Sequence, residues 1–405
     1  MFEQLVKEAY EEVEVYRNKL NGRKPEWKNF DKDFSELPLL EKNEILGHEG
    51  DMIPPRYIME FYNGELLDTH TSGSTGKCLE VYWRAEDAKK SMYPLWFYRR
   101  KYYGIEPWDR KCQFYTVGQN EKEDQDGKRY VRNGLDFSKT NLTEERLVDI
   151  YKEMCSYEPA WLLLQPCIAE LLCKVKETYH LPKIESLRYI EMTGEMLHKD
   201  LRNRIKECFE VPIANQYGMN EMNSLAYECP NGNLHCMEQN VYVEILDKNG
   251  KRQQDGMDGD IYVTTKNNKV MPLIRYRTGD RGKLLPNTCT CGMKGKVLEL
   301  QEGRENDWIQ MKNGERRTAY IFVRVIEIVN EMTDNAIKQY QILQKGYNQF
   351  EVKLVCRSWN EEMEQLFVRL LREKELPNAQ VEFQREDNLF PEETGKRRFF
   401  RNLIK

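Results

Sequence analysis

A short run of small, hydroxyl-bearing and basic residues lies in the first quarter of the chain. It reads His70-Thr-Ser-Gly-Ser-Thr-Gly-Lys77 and is flanked by two strand-like segments, 66–69 and 79–83. Such a loop offers backbone N–H groups, hydroxyl donors and one cation to a polyphosphate, and its glycines allow close approach of the backbone. Its spacing is two residues short of a Walker A loop, and a strand rather than a helix is expected to follow. The run predicts a phosphate clamp, with an ordinary glycine-serine hairpin loop as the alternative.

Two later carboxylates could complete a nucleotide site. Glu221 follows the strand-like Pro212-Ile-Ala214, and we expect it on the loop past the strand end, where open α/β sheets bind ligands. A carboxylate there can hold Mg²⁺ against a triphosphate, although a lone one is also a common structural residue or helix cap. Asp280 follows a glycine, and we expect it at the end of a strand. It could accept hydrogen bonds from vicinal hydroxyls or belong to a simple turn.

Three cysteines and one histidine lie in two turn-rich segments and form a candidate metal site. Cys229 and His235 come from the first segment, and Cys289 and Cys291 from the second. Four soft ligands in a closed set suit tetrahedral Zn²⁺ in a structural role. The C-x-C spacing is tighter than the usual one, and Cys236 could replace His235, so both ligand sets stay open.

Composition excludes several classes of protein. The 40% hydrophobic content, rich in aromatic residues, excludes a disordered chain. The net charge is -5, with 62 basic and 67 acidic residues spread along the chain, so we expect no nucleic-acid partner and no anionic membrane partner. Neither a signal-peptide pattern nor an apolar run of transmembrane length is seen, which predicts a cytoplasmic protein with reduced cysteines.

The spacing of apolar residues predicts an α/β fold. Strands and helices alternate up to about residue 210, which is typical of α/β layers. Short strands with turn residues between 227 and 300 predict a β-rich subdomain, and a small α+β unit follows Gly303. We therefore predict two domains, 1–302 and 303–405. The helices are predicted over 2–22, 85–103, 143–157, 166–178, 198–208, 320–333 and 361–373. The strands are predicted over 112–117, 161–164, 187–192, 241–246, 259–265, 339–343, 349–355 and 381–384.

Five stretches, taken together and in this order, resemble the adenylate-forming superfamily of acyl-CoA synthetases, adenylation domains and luciferases. They are Thr71–Lys77, Tyr217–Glu221, Tyr276–Asp280, Gly303–Asp307 and Thr394–Lys396. The match lies in the set and not in any single motif. The short N-terminal region, the Leu37–Lys42 stretch and the cysteines near 290 resemble the phenylacetate-CoA ligase branch, which includes capsule-associated CapK-like proteins. Members of that branch can carry a zinc site of the kind described above.

The resemblance implies roles for the residues of the large domain. Glu221 would hold Mg²⁺ bridging the phosphates of ATP. Tyr217 would stack on adenine, Gly194 and Glu195 would line the adenine site, and Asp280 would bind the ribose hydroxyls. The residues that would hold the β- and γ-phosphates are Thr71, Ser72, Gly73, Ser74, Thr75, Gly76 and Lys77.

It also implies a mobile C-terminal domain with a catalytic lysine. Arg304 would contact ribose or phosphate, and Asn306 stands where the family pivots. Lys396 would move in to stabilise the charge that develops during adenylation and then leave. Asn220 replaces the usual threonine before the metal glutamate, and Cys78 replaces the usual proline after the loop. Neither change removes a charge that the first half-reaction needs.

The activity implied by the resemblance is an AMP-forming acid-thiol ligase. A carboxylic acid, aryl or acyl, would attack ATP to give acyl-AMP, and coenzyme A would then displace AMP. Lys77, Glu221 and Lys396 would be its catalytic residues, with ATP, Mg²⁺, coenzyme A and a structural Zn²⁺ as cofactors. A carrier protein or a non-thiol acceptor is the alternative partner, and a homodimer stays open. The second reading is a non-catalytic nucleotide-binding scaffold in capsule or secondary-metabolite assembly.

Overall fold

The protein has a mixed α/β fold with a large and a small unit, as the sequence predicts. Clustering of the backbone contacts divides the chain into Met1–Gln301 and Glu302–Lys405. Within the described residues, no helix is both long and apolar enough to cross a membrane. The computed structural model describes residues 2–21, 25–70, 79–115, 125–139, 142–301, 308–314, 316–333, 336–374, 376–390 and 398–404.

Short helices at the N-terminal end pack their apolar sides against the rest of the large unit. The single helix predicted over 2–22 is instead two helices, because Val13 between them adopts an extended backbone with φ -80° and ψ 126°. Val13 is fully buried, and after the break the Tyr16 hydroxyl donates to the carbonyl of Pro272 at 2.8 Å. The four helices are α1 (Phe2–Glu12), α2 (Glu14–Lys19), α3 (Phe30–Ser35) and α4 (Ile58–Tyr62), with 3₁₀ turns at Lys42–Glu44, Glu49–Met52 and Pro55–Tyr57.

A two-stranded antiparallel ribbon then carries the ends of the predicted phosphate loop. Strand β1 (Leu67–His70) pairs with β2 (Glu80–Trp83), and His70 lies opposite Glu80. The loop itself, residues 71–78, lies outside the described residues. The ribbon is followed by α5 (Ala85–Tyr103), which has the bounds that the sequence predicts.

The next part is the predicted α/β layer. Five of its strands run parallel in the order β5, β3, β6, β7, β8, and β4 adds an antiparallel edge. Alternate side chains, such as Leu162 and Leu164, pack under the helices of one face, while Trp161 lies under α5 on the other. The elements are β3 (Lys111–Tyr115), β4 (Lys128–Val131), β5 (Gly134–Ser138), α6 (Glu144–Tyr157), β6 (Trp161–Leu164), α7 (Pro166–Thr178), β7 (Tyr189–Thr193), α8 (Lys199–Phe209) and β8 (Ile213–Met219).

The β-rich segment predicted after residue 227 continues the same sheet. Strand β9 pairs antiparallel with β8, so that twelve of the described strands form one sheet in the order β11-β12-β13-β14-β10-β9-β8-β7-β6-β3-β5-β4. Its remaining strands are β9 (Asn223–Glu228), β10 (Leu234–Cys236), β11 (Val241–Leu246), β12 (Gly259–Thr265), β13 (Tyr276–Leu285) and β14 (Val297–Gln301).

The small unit is an α+β domain with its own core. Its four-stranded sheet has the order β19-β18-β17-β20 among the described strands, and Phe322, Phe350 and Phe367 are buried together in its core. The elements are β15 (Trp308–Gln310), β16 (Arg316–Thr318), α9 (Tyr320–Met332), β17 (Ile337–Gly346), β18 (Gln349–Cys356), α10 (Glu361–Lys374), β19 (Gln380–Arg385) and β20 (Phe400–Asn402).

Candidate functional site

The turn between β8 and β9 holds the predicted metal carboxylate. Glu221 lies just past the end of β8, as the sequence predicts, and only 6% of its surface is exposed. Its Oε1 accepts a hydrogen bond of 3.2 Å from the hydroxyl of Tyr276, which is itself buried. Burial, and then the neighbouring Glu221, raise the pKa of Tyr276. The tyrosine is therefore a permanent donor that orients the buried carboxyl group of Glu221.

The predicted ribose ligand sits in a bulge and not at a strand end. Asp280 lies inside β13, so the predicted position is wrong in this respect. The pairing of β13 with β12 shifts in register between Arg277 and Arg281, so that three residues of β13 stand opposite one residue of β12. Gly279 takes a φ of +79°, a backbone conformation that favours glycine. The bulge turns Asp280 out of the ladder while the strand continues.

Tyr217 and Asp280 are in direct contact. Tyr217 lies on β8, half-buried, and its hydroxyl donates to Asp280 Oδ2 at 2.7 Å. The Tyr276–Glu221 hydrogen bond joins β13 to the turn that follows β8. The structure thus brings together two motifs, Tyr217–Glu221 and Tyr276–Asp280, that the sequence assigns to one nucleotide site.

Gly194 and Glu195 follow β7 at the carboxyl end of the parallel strands. The Glu195 carboxylate accepts hydrogen bonds from the backbone N–H of Cys167 at 3.0 Å and from its thiol at 3.1 Å. It therefore caps the N-terminus of α7, where Gln165 makes no side-chain cap bond. A position lining an adenine site stays a prediction for both residues.

Several predicted residues lie outside the described part of the chain. They are Thr71, Ser72, Gly73, Ser74, Thr75, Gly76 and Lys77 in the phosphate loop, Arg304 and Asn306 at the predicted hinge, and Lys396.

Sequence reasoning missed the part played by Tyr276 and Arg275. Tyr276 begins the stretch Tyr276–Asp280 and Arg275 immediately precedes it, but the resemblance assigns a role to neither. Arg275 is 2% exposed with a φ of +48°, and it pairs with buried Glu244 at 3.2 Å. Its guanidinium also donates to the carbonyl of Leu37 at 2.6 Å. A non-glycine residue held at positive φ by a buried ion pair anchors the start of β13.

The four predicted zinc ligands form a compact cluster. The ligand atoms of Cys229, His235, Cys289 and Cys291 all lie within 4.8 Å of one another. The Cys229 and Cys289 sulfurs are 3.7 Å apart, and Cys291 Sγ is 3.4 Å from His235 Nε2. Tetrahedral Zn²⁺ with ordinary bond lengths requires S···S and S···N separations of about 3.8 and 3.5 Å. Two separations in the cluster therefore match those of a tetrahedral zinc site.

The alternation of side chains along β10 shows which of His235 and Cys236 faces the other three candidate zinc ligands. The two residues are adjacent on β10 and point to opposite faces, and Cys236 packs into the apolar core of the other side. His235 Nδ1 lies 3.4 Å from the carbonyl oxygen of Gly295, to which its N–H can donate. That bond leaves the Nε2 lone pair directed at the thiols.

Hydrogen bonds around Cys289 favour its thiolate. The backbone N–H of Cys291, together with the His235 and Asn231 side chains, lowers the pKa of Cys289 to about 6. The Asn233 amide also donates to its sulfur at 3.3 Å. Burial acts in the opposite direction on Cys229 and raises its pKa to about 11. A cation would be needed to hold both sulfurs as thiolates.

A family model and two known proteins match this chain in sequence. Residues 314–402 match the family model of the CapK C-terminal domain. Protein CapK of Staphylococcus aureus is 23% identical over 344 residues, which cover 82% of this chain and 72% of the relative. A phenylacetate-coenzyme A ligase of Thermus thermophilus is 27% identical over 167 residues, 40% of this chain and 36% of the relative. The alignment thus spans only about a third of that ligase.

A solved structure covers nearly the whole chain. The crystal structure of a 2-hydroxyisobutyryl-CoA ligase, in the postadenylation state in complex with R3-HIB-AMP, has a TM-score of 0.76 at 17% identity. The superposition covers 99% of this chain and 88% of the ligase chain. At that identity the likeness shows the fold, which extends over both units. With the sequence relatives, it confirms the predicted family. The chain is similar in sequence to the phenylacetate-CoA ligase and CapK-like branch of the adenylate-forming superfamily, as predicted, and it has the fold of an acyl-CoA ligase.

Proposed function

We propose that this protein activates a carboxylic acid with ATP and transfers the acyl group to a thiol, coenzyme A in the first instance. The observation that carries the proposal is the pair of hydrogen bonds Tyr217–Asp280 and Tyr276–Glu221. They join two motifs of one nucleotide site, Tyr217–Glu221 and Tyr276–Asp280, that lie far apart in the sequence. The ligase names of the relatives, and a solved structure of the same fold with an acyl-AMP and CoA, support it.

The first half-reaction forms an acyl-adenylate. A carboxylate oxygen of the acid attacks the α-phosphorus of ATP, and the bond to the bridging oxygen breaks as pyrophosphate leaves. In this proposal Asp280 binds the ribose hydroxyls and Tyr217 packs on adenine while orienting Asp280. Lys77 and its loop hold the outgoing phosphates, and Lys396 stabilises the charge on the transferring group.

The same proposal assigns Glu221 to Mg²⁺. A carboxylate oxygen is the ligand that Mg²⁺ prefers, and Tyr276 fixes the group by donating to Oε1. The bound ion would neutralise phosphate charge. Glu221 supplies the anchoring carboxylate, and its burial keeps that interaction from being screened by water.

The second half-reaction consumes the adenylate. A thiol sulfur attacks the acyl carbonyl carbon, the carbon–oxygen bond to AMP breaks, and the thiol proton is released. Coenzyme A is the proposed acceptor, with a carrier-protein phosphopantetheine as the alternative.

We also propose that the cluster of Cys229, His235, Cys289 and Cys291 holds a structural Zn²⁺. All four positions of a tetrahedron are filled by protein ligands, which leaves no position for a substrate. The ion would join the turn after β9 to the segment between β13 and β14. Its role is to fix the segment between β13 and β14 against β9 and β10.

A scaffold without catalysis is the second candidate, because the alignment with Protein CapK, whose name states no ligase activity, covers 82% of this chain against 40% for the phenylacetate-coenzyme A ligase. A scaffold, however, has no chemical need for Lys77, Glu221, Asp280 and Lys396 together. The two candidates differ in whether ATP is turned over.

The experiment that tests the proposal is acid-dependent exchange of radiolabelled pyrophosphate into ATP. A panel of aryl and aliphatic acids is tested with Mg²⁺, and Glu221→Gln serves as the inactive control. Exchange with one class of acid supports adenylation and names the substrate class, and adding coenzyme A to that acid then tests thioester formation. ATP binding without exchange for any acid in the panel would favour the scaffold.

A further inference from the structure

A buried ion pair that the proposed mechanism does not use lies between α5 and the parallel sheet. Arg99 on α5 donates from Nε to Oε2 of Glu191 on β7 at 2.8 Å, and a second guanidinium nitrogen donates to Oε1. The Tyr189 hydroxyl donates to the same Oε2 at 3.1 Å and lies 2.7 Å from the hydroxyl of Tyr227. Glu191 is fully buried, and Arg99 is 3% exposed. Both charges are therefore paired in a fixed geometry away from solvent.

Two tryptophan rings pack on the guanidinium group. The Arg99 Cζ atom lies 4.6 Å from the ring centroid of Trp96 and 4.8 Å from that of Trp161. Trp161 is buried, and its ring lies beside the ring of Tyr189 with 6.5 Å between the centroids. Side chains therefore fill the space between α5 and strands β6 and β7 at this level of the sheet.

Strand register places the ion pair one step below the carboxyl ends of the strands. Thr193, near the end of β7, pairs with Gln216 of β8. Glu191 pairs with Ala214, which is fully buried on the α5 face. Because alternate residues share a face, Thr193 and Gln216 also lie on the α5 face, about 7 Å beyond the row of Glu191. Both are partly exposed, and Thr193 donates to Gln216 Oε1 at 2.8 Å.

The accessible row at the strand ends borders the proposed nucleotide site. Gln216 immediately precedes Tyr217, whose side chain points to the opposite face of β8. Ligands of open α/β sheets bind outside the carboxyl ends of the strands. In the proposed function the acid lies beside the nucleotide, because its carboxylate attacks the α-phosphorus. The tail of the acid then extends along the α5 face, past Thr193 and towards Glu191.

We propose that the Arg99–Glu191 pair forms the bottom of the acid site and limits the protein to short acids. The inference rests on the proposed function and specifies its substrate class: acids whose tail is no longer than about 7 Å, such as a short aliphatic chain or a single ring. A longer apolar chain has to enter the row of Glu191 and separate two buried charges from their partners. The pair determines specificity and takes no part in the chemistry.

The test measures how the length of the acyl chain affects binding to the full chain. Acyl-sulfamoyl adenosines, which resemble acyl-AMP but are not turned over, are titrated by calorimetry with acetyl, butyryl, hexanoyl and decanoyl groups. We expect the decanoyl analogue to bind the wild type about tenfold more weakly than the butyryl analogue, or weaker still, because it disrupts the ion pair. An open apolar pocket gives the opposite order, since each methylene removed from water strengthens binding.

Two double variants separate the volume of the ion pair from its charge. Arg99→Leu with Glu191→Ala removes both charges together and opens space, so the decanoyl analogue should gain about tenfold relative to the butyryl analogue. Arg99→Gln with Glu191→Gln is the matched control, because it removes the charges and keeps the space filled. It should keep the wild-type order. The melting temperature shows that each variant is folded.

The outcomes distinguish this inference from the proposed function. Wild-type protein that binds the decanoyl analogue as tightly as the butyryl analogue overturns the length limit. So does an unchanged order in Arg99→Leu/Glu191→Ala, or an equally relaxed order in the glutamine control. If short analogues bind in the expected order but the matching acids give no pyrophosphate exchange, the proposed function is wrong and the length limit stands. Binding of no analogue, short or long, overturns both.

Discussion

The Tyr217 hydroxyl donates a hydrogen bond of 2.7 Å to Asp280 across a sheet in which their strands are not neighbours. Strands β8 and β13 are separated by β9, β10 and β14. Four inter-strand steps would place them about 19 Å apart in a flat sheet. The contact therefore requires the sheet to curl until the two strands face each other. This curvature assembles the proposed nucleotide site from residues more than fifty positions apart.

The first prediction concerns the ribose ligand. Asp280→Ala should weaken binding of AMP roughly tenfold to a hundredfold, because a hydrogen bond to a charged group is worth about 1.5–3 kcal/mol. Isothermal titration calorimetry with AMP and with ATP measures the loss. Tyr217→Phe is the matched control, since it removes the bond to Asp280 and keeps the ring for stacking. We expect it to lose about fivefold or less. If Asp280→Ala and Tyr217→Phe lose the same affinity for AMP, the loss comes from the broken Tyr217–Asp280 contact and not from ribose recognition.

The second prediction concerns the metal carboxylate. Glu221→Gln keeps an acceptor for Tyr276 and removes the charge, so pyrophosphate exchange should fall about a hundredfold or more and excess Mg²⁺ should not restore it. Tyr276→Phe keeps the charge and removes its orienting donor. We expect a loss of about tenfold, which excess Mg²⁺ partly recovers. If Glu221→Gln exchanges at the wild-type rate, the proposed role of this residue is wrong.

The helices and strands that the sequence predicts best are those with long, regular apolar patterns. The predicted bounds of α5, α7 and β6 agree with the structure. The hairpin of β4 and β5 was not predicted, because β4 is a short polar strand at the edge of the sheet and the short, buried β5 includes the polar Asp136 and Ser138. The joining of the parallel and antiparallel strands into one sheet also escaped prediction. It depends on pairing between distant segments, which local periodicity does not encode.

In the candidate site, too, the residues within motifs could be predicted, while the contacts between distant segments could not. Motif chemistry proposed Glu221 and Asp280 as a nucleotide pair, and the alternation of strand residues could have favoured His235 over Cys236. The donors that hold these groups could not be predicted. Tyr276 reaches Glu221 only because the sheet curls, and Asp280 lies in a bulge because β12 and β13 lose register.

The third prediction concerns Lys396, which lies outside the described residues. Lys396→Ala should lower adenylate formation about a hundredfold to a thousandfold, because one charge that stabilises the transition state is removed. Binding of ATP should remain measurable by calorimetry. Thioester formation from a synthetic acyl-AMP and coenzyme A should continue, since the role proposed for the lysine is confined to the first half-reaction. Lys396→Arg is the charge-preserving control and should recover part of the exchange. An unchanged exchange rate in Lys396→Ala would refute the role.

The fourth prediction concerns the cluster of Cys229, His235, Cys289 and Cys291. Purified protein should contain near-stoichiometric zinc by elemental analysis, because the four ligand atoms lie within 4.8 Å of one another and two of their separations match a tetrahedral site. Cys291→Ser should lose most of that zinc and melt at a lower temperature, since metal binding contributes directly to folding. Cys236→Ser is the matched control, because Cys236 neighbours His235 on β10 but points into the apolar core. It should also lower the melting temperature while the zinc content stays at the wild-type level. Wild-type protein without zinc, purified in the absence of chelators, would leave four thiol and imidazole groups held together by hydrogen bonds alone, and the zinc site would have to be abandoned.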